Sequence, residues 1–272
     1  MAQNFVLIDA SYFIFYRYYA LLQWWTISKQ EPTIDNPCEN ERFVDLYRST
    51  FVKKIKEISK KIKIDNPIYI VGKDCPREKI WRNSFIDEYK GGRKKDNFVG
   101  FFFKIVYEEN LFEKAGINII LSNPELEADD CIALSCKYIN TKFENSNIYI
   151  IANDMDYLQL CNEKIKMYNL KYKNVSSSIN SNEDSKKYLF CKILMGDKSD
   201  NIPSIFQKCG QKTAIKCYED SDFFEKKMGS NIDSIEVYNR NKKIIDFCYI
   251  PKPLADELMS DLEINFINNA IQ

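Results

Sequence analysis

The sequence contains no histidine among its 272 residues. Without histidine, the chain cannot use Ser-His-Asp or Cys-His catalysis, histidine-ligated zinc, or the general base that most enzymes use near neutral pH. Any hydrolysis must therefore obtain its nucleophile in another way. With this many carboxylates, water activated by a metal ion is the expected source.

Long apolar runs, an export signal and paired cysteines are also missing. No stretch reaches the roughly 18 apolar residues of a transmembrane helix, and the opening MAQNFVLIDA has no basic segment leading into an apolar core. The nine cysteines include no C-x-x-C pair, which favours reduced thiols over a disulfide framework or structural zinc. We therefore expect an intracellular protein with no membrane segment.

The net charge is zero, because 39 basic residues balance 39 acidic ones. The basic residues are nevertheless grouped along the chain, in residues 53–63, in residues 90–95, and at Lys208, Lys212 and Lys216. Grouped charges create local fields that bind a polyanion even when the total is neutral. For residues 53–63, a solvated helix face is the alternative interpretation.

Buried strands are predicted at four apolar runs, each followed within a few residues by an acid: Phe5 to Ile8, Ile68 to Val71, Ile117 to Leu121 and Ile148 to Ile151. The segment IKMYN indicates one more strand, and helical patterns lie between the strands, so we expect an α/β domain with a parallel sheet. Helices are predicted at about 41–63, from about residue 101 to Gly116, and from near Pro124.

Acidic residues follow the predicted strands at Asp9, Asp74, Glu127, Asp129, Asp130, Asp154 and Asp156, and two more lie in a later turn at Asp197 and Asp200. Parallel strands present their carboxyl ends at one edge, so these acids are expected to meet there. Crowded carboxylates repel one another and lose hydration, so they need cations. The pattern predicts a two-metal phosphodiester hydrolase. Helix capping is the alternative for the acids near residue 127, but it does not explain three acids within four residues.

Six segments, in order, resemble the 5′ nuclease superfamily: LIDASYFIFYRYYA, KDCPREKIWR, DEYKGGR, LEADD, ANDMDYLQL and LMGDKSDNIP. That superfamily includes the nuclease domain of bacterial DNA polymerase I, phage flap nucleases of the ribonuclease H type and cellular flap endonucleases. The resemblance runs from about residue 4 to residue 217. It implies an α/β, PIN-like parallel-sheet nuclease domain at 1–180 with a helical arch at about 75–100, and a small all-α helix-three-turn-helix domain at 181–272. The polar stretch NVSSSINSNEDSKK is interpreted as the linker between them.

The resemblance also implies roles for individual residues. Asp9, Asp74, Glu127 and Asp129, with Asp130 beside them, would surround a first magnesium ion, and Asp154, Asp156, Asp197 and Asp200 a second; manganese would substitute. Asp74 stands farther from Arg82 than in many relatives, as in the phage ribonuclease H subgroup. Lys90, with Arg82 and Arg93 flanking it, would neutralise the scissile phosphate. The residues expected to bind DNA are Arg17, Lys94, Lys95, Lys208, Lys212 and Lys216.

The segment LMGDKSDNIP resembles the start of the superfamily's helix-turn-helix element, which grips the duplex backbone away from the cleavage site. Relatives carry several glycines in the following hairpin, whereas SIFQKCGQKTA retains only Gly210. This departure argues against close approach of backbone amides to a phosphate, and against the potassium ion that the resemblance would otherwise place there.

The expected function is therefore that of a metal-dependent 5′-3′ exonuclease and flap endonuclease, a monomer that cuts branched or flapped DNA and RNA–DNA primer junctions in replication or repair. A polymerase or sliding clamp would be a separate partner. Two alternatives remain open: a PIN-like ribonuclease, and a catalytically silent protein that binds branched DNA. The helical C-terminal segment argues against the first alternative, and the retained acids argue against the second.

Overall fold

Five parallel strands form the centre of the molecule. The structure is a computed structural model that describes residues 2–30, 35–92, 98–229 and 233–270. In the described residues the sheet order is β3-β2-β1-β4-β5, and every pairing is parallel. The strands are β1 (Gln3–Asp9), β2 (Ile68–Gly72), β3 (Ile119–Leu121), β4 (Ser146–Ile151) and β5 (Ile165–Tyr168). The predicted parallel α/β sheet is confirmed.

The strand order places β1 at the centre, with β2 on one side and β4 on the other. Successive strands proceed outward in one direction from β1 to β3 and then in the other direction from β4 to β5, so the order reverses between β1 and β4. In a doubly wound sheet this reversal opens a crevice beyond the carboxyl ends of the strands, where ligands bind. Asp9 ends β1 at that crevice.

Helices cover both faces of the sheet because side chains alternate along each strand. Val6 and Ile8 pack in the hydrophobic core shared with the helices from α1 to α5, and Phe5 and Leu7 pack in the core shared with α6 and α11. The helices are α1 (Ala10–Ile27), α2 (Glu41–Lys56), α3 (Ile58–Ile62), α4 (Val99–Glu108), α5 (Leu111–Lys114), α6 (Ala128–Lys142), α7 (Asn182–Met195), α8 (Gln211–Glu219), α9 (Ser221–Gly229), α10 (Ser234–Ile245) and α11 (Lys252–Ala270).

Three helix predictions differ in detail from the structure. The helix expected at 41–63 is present with one irregular residue, Glu57, between α2 and α3. The helix expected to end at Gly116 is divided at Asn110, whose φ of 54° is left-handed and ends the regular hydrogen bonding. The start near Pro124 is wrong, because the Asn123 side chain accepts from the Glu125 N–H in a turn, and α6 begins only at Ala128.

The helices from α7 to α10 share a separate hydrophobic core, which includes Leu194, Ala214 and Ile244. The Ser181 side chain caps α7, so the helix begins within the stretch that was interpreted as a linker. Helix α11 returns to the sheet and packs against α6 and β3, with Leu258 and Leu262 buried there. The division at residue 180 and the helix-three-turn-helix assignment stay predictions.

Gly72, at the end of β2, lies against the backbone at the start of the acid-bearing helix α6. A Cβ at Gly72 would lie 2.7 Å from the Ala128 carbonyl oxygen, which is backbone and cannot rotate away. Gly72→Ala should therefore destabilise the protein by about 2 kcal/mol in urea unfolding. Gly100→Ala is the matched control, because Gly100 lies in α4 with nothing within 4 Å of its added Cβ. The control should be neutral or stabilising, by up to about 1 kcal/mol. Equal effects of the two substitutions would contradict the close-contact argument.

Candidate metal centre and active site

A cavity of about 330 Å³ opens at the carboxyl edge of the sheet. Its wall comes from the end of β1, the start of α1, the loop after β2, the start of α6 and the loop after β4. The lining residues are Asp9, Ser11, Tyr12, Phe15, Asp74, Lys90, Glu127, Asp129, Asn153 and Asp154. Five of the acids expected at this edge are thus brought together with Lys90.

Asp9 is held at the junction of β1 and α1 by hydrogen bonds to both carboxylate oxygens. Oδ1 accepts from the Tyr12 N–H at 2.9 Å as the cap of α1, and Oδ2 accepts from the Tyr157 hydroxyl at 2.9 Å. Burial, together with the negative charge of Asp74, raises the pKa of Asp9 to about 7 in spite of these bonds. A buried carboxylate whose pKa is raised in this way is stabilised by binding either a proton or a cation.

Asp74 connects the loop after β2 to the start of α6. Its Oδ1 accepts from the Ala128 N–H at 2.8 Å, and its Oδ2 accepts from the Ser11 hydroxyl. Burial raises the pKa of Asp74, although both hydrogen bonds oppose the shift. Although Asp74 stands farther from Arg82 in the sequence than in many relatives, its carboxylate lines the cavity.

Lys90 lines the cavity, and its ammonium lies near both Glu127 and Asp200. Its Nζ donates to Glu127 Oε1 at 2.5 Å and lies 3.8 Å from Asp200 Oδ2. Its backbone has a left-handed φ of 56°, which is costly for a residue with a side chain and is held by the bond from its N–H to the Asp200 carbonyl at 3.2 Å. Although burial opposes the shift, Lys90 and Arg82 lower the pKa of Glu127, which is thus kept ionised.

Arg82 and Asp130 form a buried ion pair behind the cavity. Arg82 is 2% exposed; its two terminal nitrogens donate to the two oxygens of Asp130 at 2.7 and 2.8 Å, and one of them also donates to Glu127 at 2.9 Å. Asp130 Oδ2 also accepts from the indole N–H of Trp81 at 2.9 Å. Arg82 Nε donates to the Ile244 carbonyl at 2.8 Å, at the end of α10. Neither charged group of this pair lines the cavity in the part of the chain that the structure describes.

A second acid group lies beside the cavity, where Asp156, Asp197 and Asp200 place carboxylate oxygens within 4.8 Å of one another. Lys192 of α7 contacts two of them, with Nζ 2.8 Å from Asp156 Oδ1 and 2.6 Å from Asp197 Oδ2. Burial, with the charge of Asp154, raises the pKa of Asp156 to about 6. The hydrogen bonds from Lys192 and Ser199 outweigh burial and lower the pKa of Asp197 to about 2. Asp154 is exposed and lines the cavity of the first group.

The chemistry of these residues fits hard divalent cations. Every ligand that the two groups offer is a carboxylate oxygen, the donor that magnesium and manganese prefer. Burial, with the negative charge of Asp74 nearby, raises the pKa of Asp9 to about 7, and a bound cation would offset both causes. Asp156 Oδ1 is buried, and the ammonium of Lys192 lies 2.8 Å from it.

The described basic residues that are expected to bind DNA fall in two different environments. Arg17 is partly buried beside Tyr16, Tyr47 and Tyr172, and burial lowers its pKa. Exposed positions are occupied by Lys208, Lys212 and Lys216, the last with its ammonium 4.2 Å from the ring centre of Phe223. The expected residues Arg93, Lys94 and Lys95 lie outside the described residues.

Four side chains that support the acids were not predicted from the sequence: Ser11, Trp81, Tyr157 and Lys192. Ser11 follows Asp9 by two residues in the first turn of α1, which is the one local signal of its position. Trp81 and Tyr157 lie far along the chain from the acids that they contact. Lys192 lies close in sequence to Asp197 but far from Asp156, so sequence spacing does not reveal that it contacts both.

Comparisons with known proteins agree with this geometry. The model of the protein family described as 5′-3′ exonuclease, N-terminal resolvase-like domain, matches residues 4–189. A 5′-3′ exonuclease of Buchnera aphidicola subsp. Acyrthosiphon pisum (strain APS) is 32% identical over 246 residues, which cover 88% of this chain and 74% of that protein. A DNA polymerase I of Lactococcus lactis subsp. lactis (strain IL1403) is 28% identical over 190 residues, which cover 64% of this chain but only 21% of the polymerase.

The fold also matches a solved structure. The crystal structure of the bacteriophage T5 D15 flap endonuclease, a pseudo-enzyme-product complex with DNA and metal ions, superposes with a TM-score of 0.66 at 17% identity, covering 97% of this chain and 99% of that one. The structure contains no helix, within the residues it describes, that is long and apolar enough to cross a membrane.

The sheet is doubly wound and parallel, and it gathers carboxylates and Lys90 at its carboxyl edge. The expected PIN-like class of α/β nuclease is therefore confirmed for this domain. Within that class, the chain belongs to the 5′-3′ exonuclease family.

The raised pKa of Asp9 predicts how stability changes with pH in the absence of divalent ions. The pKa is about 7 in the folded protein and about 3.9 in an unfolded chain. The folded state therefore binds the extra proton, and the stability that Asp9 contributes is lost as pH rises from about 4 through 7. Asp9→Asn should remove this loss, so that in chelator the variant becomes more stable than wild type as pH rises from about 5 to 8, by up to about 4 kcal/mol.

Urea unfolding at several pH values in chelator measures this difference. Saturating magnesium should abolish it, because a bound cation stabilises the ionised carboxylate. Parallel pH profiles of the two proteins in chelator would contradict the assignment.

Proposed function

We propose that this protein is a structure-specific, divalent-metal-dependent 5′-3′ exonuclease and flap endonuclease that hydrolyses DNA, and RNA primers, near junctions of single strand and duplex. The observation that carries the proposal is the convergence of five carboxylates and Lys90 in one cavity at the edge of the sheet. Membership of the 5′-3′ exonuclease family supports the direction of cleavage. The fold match to a flap endonuclease solved with DNA supports the substrate.

Two divalent ions, magnesium in the cell with manganese able to substitute, would activate water and stabilise the charge on the attacking and leaving oxygens of the phosphodiester. The first would be held by Asp9, Asp74, Glu127 and Asp129. The second would be held or approached by Asp154, Asp156, Asp197 and Asp200. The all-oxygen donors support divalent ions at both positions, and the close approach of Asp156, Asp197 and Asp200 supports the second.

Lys90 is proposed to contact the scissile phosphate. Its ammonium lines the cavity and is anchored to Glu127 rather than extended into solvent. A cation fixed before the substrate arrives costs little reorganisation when negative charge develops on the phosphate.

Arg82 and Asp130 are proposed to act on other residues rather than on substrate or metal. The donors of Arg82 are directed at Asp130, Glu127 and the Ile244 carbonyl, and Asp130 already accepts four hydrogen bonds. The pair would fix the orientation of Glu127 and join the start of α6 to the end of α10. Arg82 is therefore a positioning residue.

Duplex binding is proposed for the exposed face of α8 and the loop before it, through Lys208, Lys212 and Lys216. Three exposed lysines at intervals of four residues suit contact with successive phosphates. Arg93 is proposed to flank Lys90 at the scissile phosphate, and Lys94 and Lys95 are proposed to bind DNA. A separate polymerase is the expected partner, since the relatives include DNA polymerase I.

The test of the function uses end-labelled flap, nicked, single-stranded and RNA-primed substrates incubated with magnesium, with product lengths read on a gel. Cleavage near the junction of the flap and primer substrates is expected. Cleavage of single-stranded RNA alone would indicate a PIN-like ribonuclease. Binding of the branched substrates without any cleavage would indicate a silent DNA-binding protein.

Removal of one first-group acid should abolish the chemistry but not the binding. Asp129→Ala should lower the single-turnover rate by more than about a hundredfold, since even outer partners of metal ligands cost up to that amount. Affinity for the flap, measured in calcium, should stay within about threefold, because the backbone contacts remain. Glu113→Gln, an exposed acid on α5, is the control and should change neither value. Wild-type cleavage in excess chelator, or by the Asp129 variant, would exclude the metal mechanism.

Lys90 should act on the chemical step more than on affinity. Lys90→Ala should lower the single-turnover rate by about a hundredfold while affinity changes by less than about threefold, because the cation stabilises charge that develops in the transition state. Lys212→Ala should do the reverse. A loss of affinity in proportion to the loss of rate at Lys90 would identify it as an ordinary backbone contact.

Recognition should depend on junction shape and phosphates rather than on bases. Affinity for one flap geometry in several unrelated sequences, measured in calcium over a salt titration, should be nearly independent of sequence and should fall steeply with salt. Lys212→Ala should reduce the log–log slope by about 0.9. Lys187→Ala is the control, because Lys187 pairs with Glu219 at 2.6 Å. A strong base preference or a flat salt response would remove α8 from the binding surface.

A further inference from the structure

The two acid groups differ in the positive charge that the protein itself supplies to them. In the first group, Glu127 has Lys90 and Arg82 as partners. Asp9 has only neutral donors among the contacts of the described residues, namely the Tyr12 N–H and the Tyr157 hydroxyl. The second group has an ammonium at its centre, because Lys192 lies within 2.8 Å of both Asp156 and Asp197.

The position of Lys192 is enclosed rather than exposed. Its side chain is 13% exposed, and those of its two partners are 16% and 20% exposed. An ammonium is a compact unit charge with three donors, so in this position it offsets one of the two adjacent carboxylate charges. Lys192 stands in the last turn of α7, which also positions it next to Asp197 in the following turn.

A divalent ion bound between Asp156 and Asp197 would need the space and the oxygen atoms that the ammonium uses. Magnesium takes oxygen ligands at about 2.1 Å, closer than the 2.6 and 2.8 Å of the ammonium contacts. A unit positive charge a few ångströms from a divalent ion also repels it. The ammonium and the divalent ion therefore cannot both occupy the space between Asp156 and Asp197.

We propose that Lys192 is a built-in counter-cation of the second acid group, which competes with the second divalent ion and must leave Asp156 when that ion binds. This inference rests on the proposed two-ion function. It makes the two ion positions unequal: the first binds its ion in the free enzyme, whereas the second fills at higher ion concentration or when the substrate phosphate adds negative charge.

The contact to Asp156 is the one that should break first. Lys192 Nζ donates to Asp197 Oδ2 at 2.6 Å, whereas its contact to Asp156 Oδ1 is the longer of the two, at 2.8 Å. By remaining on Asp197 while releasing Asp156, the ammonium could stay near the site and face the phosphate.

The experiment counts manganese ions bound to the free enzyme, without DNA, from the electron paramagnetic resonance signal of unbound Mn²⁺. Three proteins are compared: wild type, Lys192→Met, and the control Lys187→Met. The control makes the same charge change on the same helix, but Lys187 pairs with Glu219 at the surface. Lys192→Met should bind the second ion at least about tenfold more tightly than wild type, in the range by which residues around a metal site change its affinity. The control should match wild type.

Thermal unfolding supplies a second readout that needs no activity. In chelator, Lys192→Met should be less stable than wild type, because Asp156 and Asp197 lose their counter-charge, and manganese should restore more stability to the variant than to wild type. If Lys192→Met does not fold, Lys192→Gln carries the same comparison, since its neutral amide can still donate to Asp197.

The outcomes separate this inference from the function on which it rests. Two ions bound with equal affinity in all three proteins, or a weaker second ion in Lys192→Met, would overturn the competition by Lys192 and leave the two-ion function standing. No ion bound by any of the three proteins would overturn both.

Discussion

Repulsion among carboxylates held at one edge of the sheet is the constraint on which the rest of this structure depends. Among the described residues, three buried or half-buried cations contact these carboxylates and reduce the repulsion, each at a different place. Arg82 locks Asp130 and Glu127 from behind, Lys90 faces the cavity, and Lys192 lies within the second group. Among the described residues Asp9 has no such partner, and burial with the nearby charge of Asp74 raises its pKa to about 7. A divalent cation would balance this buried charge.

The fold brings these charges together by its strand order. Because the order reverses between β1 and β4, Asp9 and Asp154 face each other across the crevice. Asp74 then fixes the start of α6 through the Ala128 N–H, and Asp129 lines the cavity while Asp130 pairs with Arg82 behind it. Arg82 extends the connection to the end of α10.

Much of this arrangement could be predicted from the sequence, because strands and their terminal acids are local signals. The five strands and the meeting of Asp9, Asp74, Glu127, Asp129 and Asp154 follow from apolar runs and from the geometry of parallel sheets. The environments of Arg82 and Lys192 could not be predicted, because their partners are far away in the sequence. Arg82 pairs with Asp130, 48 residues away, and Lys192 contacts Asp156, 36 residues away. Only the packing of the chain brings these residues together. The start of α6 was misplaced because a side-chain turn at Asn123 competed with the helix signal of Pro124.

The most direct test of this account is the anomalous scattering of manganese in crystals of the protein soaked with Mn²⁺. The account predicts a strong peak within ligand distance, about 2.2 Å, of carboxylate oxygens among Asp9, Asp74, Glu127 and Asp129. Crystals of Asp9→Asn should show a weaker peak at the same place. Absence of manganese from this cavity at millimolar concentration, with the carboxylates in unchanged positions, would contradict the claim that their crowding exists to hold a cation.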